Sequence, residues 1–584
     1  METDPSGWLR GPRIFDISPP ALGGDWLARL ARRNRIQPWQ DQPGALALRI
    51  ETGVARRQPP WLGPGNPRFF TGLECTHRFG LPALLAWRRF RYLRRHFRQA
   101  VFLLVIRDPD DWLAARMGEA GARTSAIIRG AGLDDLPRLM RAEYVDHQAA
   151  ARAFFAGDPR YVELPFDALS FDLLRDALAP WYPLTEPLPP PAPPAEDAGD
   201  PDRGNGALPM PAPYPAPGRI APPPTGADAR FADEMAAFCL GPWAPNDAGI
   251  GNASRIYAFH DGAGRVLRRN GTPWPILRHP DLPGQPFLPP PGNDKAARTA
   301  GVLNECLRLG RNPALHLDMQ DSRRFGPGKP VGVPIVTYNR RPRAQNVTLW
   351  PLPGYHSPGA PNFVHAASPD PIPWTRKADR LAWRGDLSGN VMQPDGGLGA
   401  SSFGLLARLD GMPADDEAGL AEVMAQLARL PRLNALRALQ GPDYDLGLVL
   451  TPALQPFRDL PVLTPHVADY RPRDWFHGFR YVLSLPGYDT GSNFLMAANS
   501  GSLVMKAEDG WELFYSHLFR PWEHYVPVAV DCTDVPQKLD WARAHQAECR
   551  AMVRAAQAAC ARLADTRLRA AALHRVLDGL EERQ

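Results

Sequence analysis

The sequence predicts an α/β protein of several domains, and three observations carry that prediction. Near the N-terminus, strand-like and helix-like runs alternate, from RIFDIS through GDWLARLARRNRI and QAVFLLVI to DPDDWLAARM. A stretch rich in proline, glycine and alanine, from about residue 184 to 228, divides the chain. Residues 481–506, YVLSLPGYDTGSNFLMAANSGSLVMK, read as strand, turn, short helix, strand. Their flanks FRYVLSL and SLVMK are β-branched and aliphatic, while NFLMAAN suits a helix.

Taken in order, RIFDIS and QAVFLLVI are strands, the second apolar enough to be buried on both faces. DPDDWLAARM opens a helix with Pro109 and two aspartates in its first turn. Residues 87–99, WRRFRYLRRHFRQ, form an amphipathic basic helix with Trp87, Phe90, Leu93 and Phe97 at near-helical spacing. Two uses fit it: a membrane-surface face, or a core-facing stripe with a solvated basic back, the commoner arrangement. The 184–228 segment is too poor in large apolar residues to build a core and reads as a linker, semi-rigid where proline dominates. A second proline-rich piece, NGTPWPILRHPDLPGQPFLPPPGND, interleaves Trp274, Ile276, Leu277 and Phe287 with its prolines, so it is expected to pack along a domain surface. The closing Ala- and Leu-rich helices from 541 to 584 hold no strict heptad and are expected to pack across the fold.

Composition narrows the function classes. At 584 residues with a net charge of +5, the chain is too mildly basic for nucleic acid to be its main partner. Six scattered cysteines without a CxxC pair fit reduced thiols in the cytoplasm rather than a disulfide frame or zinc site. No secretory leader and no apolar run of spanning length is present, so the expected location is cytoplasmic, with peripheral contact at the inner membrane as the basic helix's alternative.

The turn of the 481–506 unit holds the chemical interest. The first N–H groups of a helix have no partner within it and attract anions. Gly487 and Gly491 permit close backbone approach, Ser492 is placed to cap the helix, and Asp489 and Asn493 offer hydrogen bonds to sugar or ribose hydroxyls. A ligand-free, well-capped turn is the competing reading.

Two resemblances extend this. RIFDISPPALGGDWLARLARRNRIQPWQ, FFTGLE, VFLLVIRDPDDWLAARM and YVDHQAAARAFFAGDPRYVELPF resemble the bacterial sulfotransferase-like family over roughly residues 10 to 182. That family implies a P-loop α/β domain whose first loop cradles a phosphosulfate with a lysine and hydroxyl residues. Here Ala21 stands at the lysine position, Gly24 and Asp25 replace the hydroxyls, Arg107 is kept, and Ala115 replaces a donor-binding serine. A domain without those charge-assisted bonds is expected to be inactive. Further along, ALHLDMQDSRRF, WTRKADRLAWRGDLSGN, the 481–506 unit and WELFYSHLFRPWEHYVPVAVDCTDVPQKLDWARAHQAE resemble glycosyltransferase family 90 in order.

The second resemblance implies a GT-B fold, a pair of Rossmann-like halves: an acceptor half at about 229–380, a nucleotide-sugar half at about 381–540 and closing helices thereafter. It also implies an inverting, metal-independent transferase that takes a UDP-sugar as donor substrate and needs no cofactor. Arg384, Gly385 and Asp386 of WRGD, with Asp489, Ser492 and Asn493, are the expected donor-binding residues. Glu512, expected on a helix, would reach the ribose, and His524 would sit at the same strand-end level. GYDTGSN lacks the arginine of eukaryotic members and is similar to the lipopolysaccharide-type bacterial form, which points to a bacterial glycan or glycolipid acceptor such as lipopolysaccharide or capsule. The family's Asn-x-x-Asp element falls on Asp318 and Asp321, making Asp321 the candidate base, against a reading in which either Asp caps a turn. The DYD triplet at 443–445 precedes apolar LGLVL and reads as a strand lead-in, not a metal site. Two rival readings stay open: a non-catalytic glycan-binding scaffold, and a bifunctional sulfotransferase and glycosyltransferase.

Overall fold

The computed structural model describes residues 3–191, 211 and 225–583, apart from 40–41, 64, 119–120, 133, 323–324, 326–328, 393–397 and 414. The described residues form two compact units: 3–191 and 258–314 in one, and 211, 225–257 and 315–583 in the other.

Unit 1 is built on a parallel sheet of β1 (Ile14–Asp16), β2 (Phe69–Phe70), β3 (Val101–Ile106) and β4 (Tyr161–Pro165), ordered β2-β1-β3-β4. The VFLLVI run of β3 is buried almost throughout, as a central strand covered on both faces must be. Phe15 stacks on Phe70 at 4.8 Å between ring centroids, and Phe102 meets Phe155 at 4.8 Å, so aromatic area dominates this core. The first loop leads into helix α1 (Gly24–Arg33). The basic helix α2 (Phe90–His96) turns Phe90 and Leu93 inward, as Trp87 does just before it, while Arg94 pairs with Asp158 at 2.5 Å. Its apolar stripe is therefore core, the commoner of the two expected uses. Helix α3 spans Pro109–Gly118.

The second proline-rich piece does more than line a surface. Leu288 is fully buried in the core of unit 1. His279, likewise buried, sits 3.1 Å from the Glu51 carboxylate, which also accepts from Arg89 at 2.9 Å. Asn304 donates to the Gly80 carbonyl at 2.8 Å. These contacts assign 258–314 to unit 1, whereas the proline-rich break in composition had suggested one domain from residue 229 onward. Composition registers the break in the chain but not its return. Of the linker, residues 192–210 and 212–224 lie outside the described residues, while Thr185 and Glu186 donate their N–H groups to Asn34 at the end of α1.

Unit 2 contains β5 (Ala314–Leu317), β6 (Ile335–Thr337) and β7 (Val347–Leu349), with β6 parallel to both neighbours. A second, all-parallel sheet holds β8 (Ala378–Gly385), β9 (Tyr444–Leu448), β10 (Phe479–Ser484), β11 (Leu503–Ala507) and β12 (Val526–Val528), ordered β9-β8-β10-β11-β12. The DYD triplet does lead into β9: Asp443 binds Arg543 at 2.6 Å, and Asp445 faces Arg380 and Arg384. At the entry to β8 a fully buried ion pair, Lys377 with Asp370 at 2.5 Å, ties the strand to the N–H of Gly501, which the same carboxylate accepts at 2.8 Å. A pair this deep needs such extra hydrogen bonds to offset desolvation.

Helices α4 (Ser402–Asp410) and α5 (Pro431–Ala438) lie in the β8–β9 connection, and α6 (Phe494–Ala498) joins β10 to β11. The closing helices α7 (Gln546–Ala564) and α8 (Thr566–Glu581) return to helix Gly226–Leu240, where Arg562 pairs with Asp228 at 3.2 Å and Gly579 makes room for Leu240. All six cysteines are free and buried. No described helix is long and apolar enough to cross a membrane.

Candidate active site

In an open parallel sheet, ligands bind outside the carboxyl ends of the strands, where the winding reverses. In unit 2 the chain runs from β8 outward to β9, then returns to the other side of β8 for β10, β11 and β12. The reversal falls between β8 and β10. Two loops leave the strand ends there: Asp386–Asn390 after WRG, and Leu485–Asn493, the LPGYDTGSN turn.

Arg432 of α5 lies beneath both loops. Its guanidinium donates to the carbonyl of Asp386 at 3.0 Å and to that residue's carboxylate, and also to the carbonyl of Pro486 at 3.0 Å. It lies over Trp383, 5.7 Å from the ring centroid. Burial lowers its proton affinity, and the Asp386 carboxylate opposes that shift. A cation held under two strand-end loops is the local feature that sequence reading missed. Arg432 sits in an ordinary helical stretch, PRLNALRA, and nothing in its neighbours distinguishes it from a surface arginine.

Opposite the turn, the segments after β5 and β6 bring a second set of groups. The Tyr338 hydroxyl contacts the Asp321 carboxylate and lies 2.6 Å from that of Asp489. Asn339 donates to Asp489 at 3.3 Å and to the Gln320 carbonyl at 3.2 Å. Ser322 donates to the Tyr488 carbonyl. Asp321 and Asp489, far apart in sequence, thus meet across one tyrosine hydroxyl. The Tyr488 ring stacks on exposed Phe403, with centroids 6.1 Å apart, and its hydroxyl meets that of Ser402 at 2.8 Å. Burial raises the Tyr488 hydroxyl above its ordinary range.

Asp318 points elsewhere. It is fully buried and accepts both the N–H of Ser254 at 2.6 Å and its hydroxyl at 2.7 Å. Arg384 also turns away from the crevice: it binds Asp445 at 2.6 Å, lies over Trp475, and has a buried Nε without a hydrogen bond. Gly385 ends β8, and a side chain there would collide with the Trp383 ring.

Three expectations about local structure need correction. Ser492 is exposed and does not cap α6; the N-cap is Asn493, whose side chain folds back to accept from Ser484 at 3.1 Å and donate to the Leu483 carbonyl at 2.8 Å. Glu512 is not helical. It pairs backbone to backbone with Arg340 and accepts from that guanidinium at 2.7 Å, which itself donates to the carbonyls of Phe238, Cys239 and Val347. His524 precedes β12 and so lies at the amino end of its strand, away from the carboxyl-end loops; it accepts from the Arg520 N–H at 3.1 Å, and burial lowers its proton affinity. Among the described residues no cluster of three or more His, Cys, Asp or Glu is arranged to hold a metal ion.

Unit 1 has its own crevice at the carboxyl end of β1, a cavity of about 670 Å³. Ala21, Gly24 and Asp25 line it, with Ala21 in the left-handed backbone region at φ 67°. Asp16 accepts from Thr71 at 2.6 Å and from the Ser18 N–H at 3.1 Å. A side chain at Gly24 would come within 2.6 Å of the Thr71 hydroxyl oxygen, so Thr71 would have to shift to admit one. Arg107 pairs with Asp167 at 3.2 Å.

Comparison with known proteins finds a family match within unit 2. Residues 474–564, which carry the LPGYDTGSN turn, β10 to β12 and all of α7, match the model of Glycosyl transferase family 90. The chain is similar to uncharacterized protein 035R of Invertebrate iridescent virus 3, at 32% identity over 13% of this chain and 7% of that protein. It is also similar to protein O-glucosyltransferase 1 of Rattus norvegicus, at 31% over 12% of this chain and 17% of the relative. Protein O-glucosyltransferase 3 of the same species matches at 29% over 19% of this chain and 22% of its own. The matches therefore span less than a quarter of each relative.

Proposed function

We propose that the chain is a glycosyltransferase of the family 90 type, with a GT-B pairing of its two five-stranded sheets, which moves a sugar from a UDP-sugar to a hydroxyl of a glycan or glycolipid with inversion. The observation that carries this reading is the meeting of Asp321 and Asp489 across Tyr338, beside the winding reversal between β8 and β10. Support comes from the family match over 474–564 and from the O-glucosyltransferase relatives.

In this reading Asp321 accepts the proton of the acceptor hydroxyl as its oxygen attacks the anomeric carbon. The bond from that carbon to the diphosphate breaks on the opposite face, and the leaving group carries the charge away. Tyr338 fixes the orientation of Asp321 and couples it to Asp489. Arg432, set under both strand-end loops, holds them in register and contributes positive potential where the leaving phosphate gathers charge. The stacked Phe403 and Tyr488 rings offer a flat apolar face for a base or a sugar. A bacterial lipopolysaccharide or capsule is the acceptor class that the GYDTGSN turn favours.

The test is transfer from radiolabelled UDP-sugars to bacterial glycan fractions by the full chain and by Asp321→Asn, with UDP binding followed by calorimetry. Retained UDP binding with lost transfer supports the assignment. Transfer by Asp321→Asn at the wild-type rate, or an absence of UDP binding in the wild type, overturns it.

A further inference from the structure

The crevice of unit 1 is a built cavity that the proposed transfer reaction does not use. At about 670 Å³ it falls within the roughly 300–1,000 Å³ span of small-molecule sites. It opens at the carboxyl end of β1, the end of an α/β sheet where ligands bind. Its lining decides what kind of ligand fits.

Charge argues against an anion. Among the described residues three carboxylates line the cavity, Asp16, Asp25 and Glu74, against one guanidinium, Arg116, which pairs with Glu74; burial holds the Asp16 carboxyl toward its protonated form. His77, also in the lining, is held toward its neutral form by burial and the nearby Arg78. An incoming phosphate or sulfate would meet the Asp25 carboxylate and, among the described residues of the lining, an arginine already paired with Glu74.

What remains is a set suited to hydroxyl groups. Carboxylates accept from them, Thr71, Thr76 and the Gln42 amide add polar contacts, and the Trp39 indole forms part of the wall. An aromatic plane beside carboxylates and amides matches a sugar ring, with apolar C–H on one face and hydroxyls at its edge. Asp16, already hydrogen-bonded to Thr71 and Ser18, is fixed rather than mobile. We propose that this cavity binds a saccharide lacking anionic groups, so that unit 1 is a carbohydrate-recognition unit in place of a sulfonate-donor unit.

The experiment uses the full chain in saturation-transfer NMR and calorimetry, with neutral di- and trisaccharides of glucose, mannose or xylose as probes. 3′-Phosphoadenosine 5′-phosphate and inorganic sulfate serve as anion probes. Saturating UDP is present throughout, so that a site for UDP-sugars is filled. Expected is saccharide binding that persists with UDP, falls at least tenfold in Trp39→Ala, and falls likewise in Asp25→Arg. Asp25 is exposed, so its replacement leaves the fold intact while placing a long cation in the cavity. Binding of the nucleotide or sulfate without saccharide binding overturns the proposal. So does saccharide binding unaltered in Asp25→Arg, or an absence of binding to every saccharide probe. Loss of UDP binding alone would instead count against the transferase reading and leave this result separate.

Discussion

The two crevices stand at the same topological place and differ in where their arginine is anchored: Arg116 on a carboxylate of the wall, Arg432 on the backbone of two loops as well as on Asp386. Each lies at the carboxyl ends of parallel strands, and each has an aspartate held by a neighbouring hydroxyl: Asp16 by Thr71 in unit 1, Asp489 by Tyr338 in unit 2. In unit 1 the one arginine in the lining pairs with Glu74, and the wall is left acidic. In unit 2 a buried arginine runs under both loops and grips their backbone carbonyls. The strand-end position determines that a crevice exists. The side chain beneath the loops determines how their backbone is held there.

That contrast can be broken or sharpened in steps. The largest effect expected is on chemistry: Asp321→Asn should lower transfer by ~10²- to 10⁴-fold while UDP affinity stays near the wild-type value, since the amide keeps its size but takes no proton. Steady-state rates beside calorimetry check it. Next, Arg432→Ala should weaken UDP binding by about 2 kcal/mol, the scale of a lost charge-assisted bond, and should leave saccharide binding by unit 1 untouched. If UDP binds equally well, the positive potential of the crevice comes from elsewhere.

Asp318→Asn sharpens the assignment of the base. Because Asp318 accepts twice from Ser254, an amide there keeps one acceptor oxygen and forces the Ser254 hydroxyl to accept instead of donate, which should cost about 1–3 kcal/mol of stability, with little change in turnover. Thermal unfolding and rate assays separate the two. If turnover collapses while the melting temperature holds, the base is Asp318.

The smallest effect expected is on acid stability. Burial depresses His147 of unit 1 to about 4, and His356 and His517 of unit 2 to about 3 and about 4. Each is neutral when folded and titrates near its ordinary 6.5 when unfolded, so the unfolded chain binds more protons between those values. Their stabilising effect is full above about pH 6.5 and is lost as pH falls toward 4. Unit 2, with two such groups, should lose more of it than unit 1. Melting curves from pH 7.5 to 4.5, repeated with His356→Gln, follow this; a wild-type curve flat across that range refutes it.

Much of this was legible before any coordinates. VFLLVI could only be a buried central strand, and the strand–turn–helix–strand reading of 481–506 corresponds to β10, α6 and β11. The turn between them lies at the winding reversal because a parallel sheet puts it there. Partnering was not legible. Arg384 looked like a phosphate ligand, but Asp445 on the adjacent strand claims it through a register that no local pattern encodes. Glu512 looked helical because WELFYSHLF has helical composition, yet the backbone of Arg340 captures it as a bridge. Arg432 went unremarked for the converse reason: its role comes wholly from two loops distant in sequence.

The return of residues 258–314 to unit 1 affects how the protein is made. Synthesis is vectorial, so the first 206 residues leave the ribosome well before the segment that supplies His279 and Leu288. At ~5–20 residues per second, the nascent unit waits on the order of ten seconds with its Glu51 carboxylate short of one partner and its core short of a leucine. During that interval all four strands of the sheet are already made, but the apolar surface that Leu288 later covers is open to water.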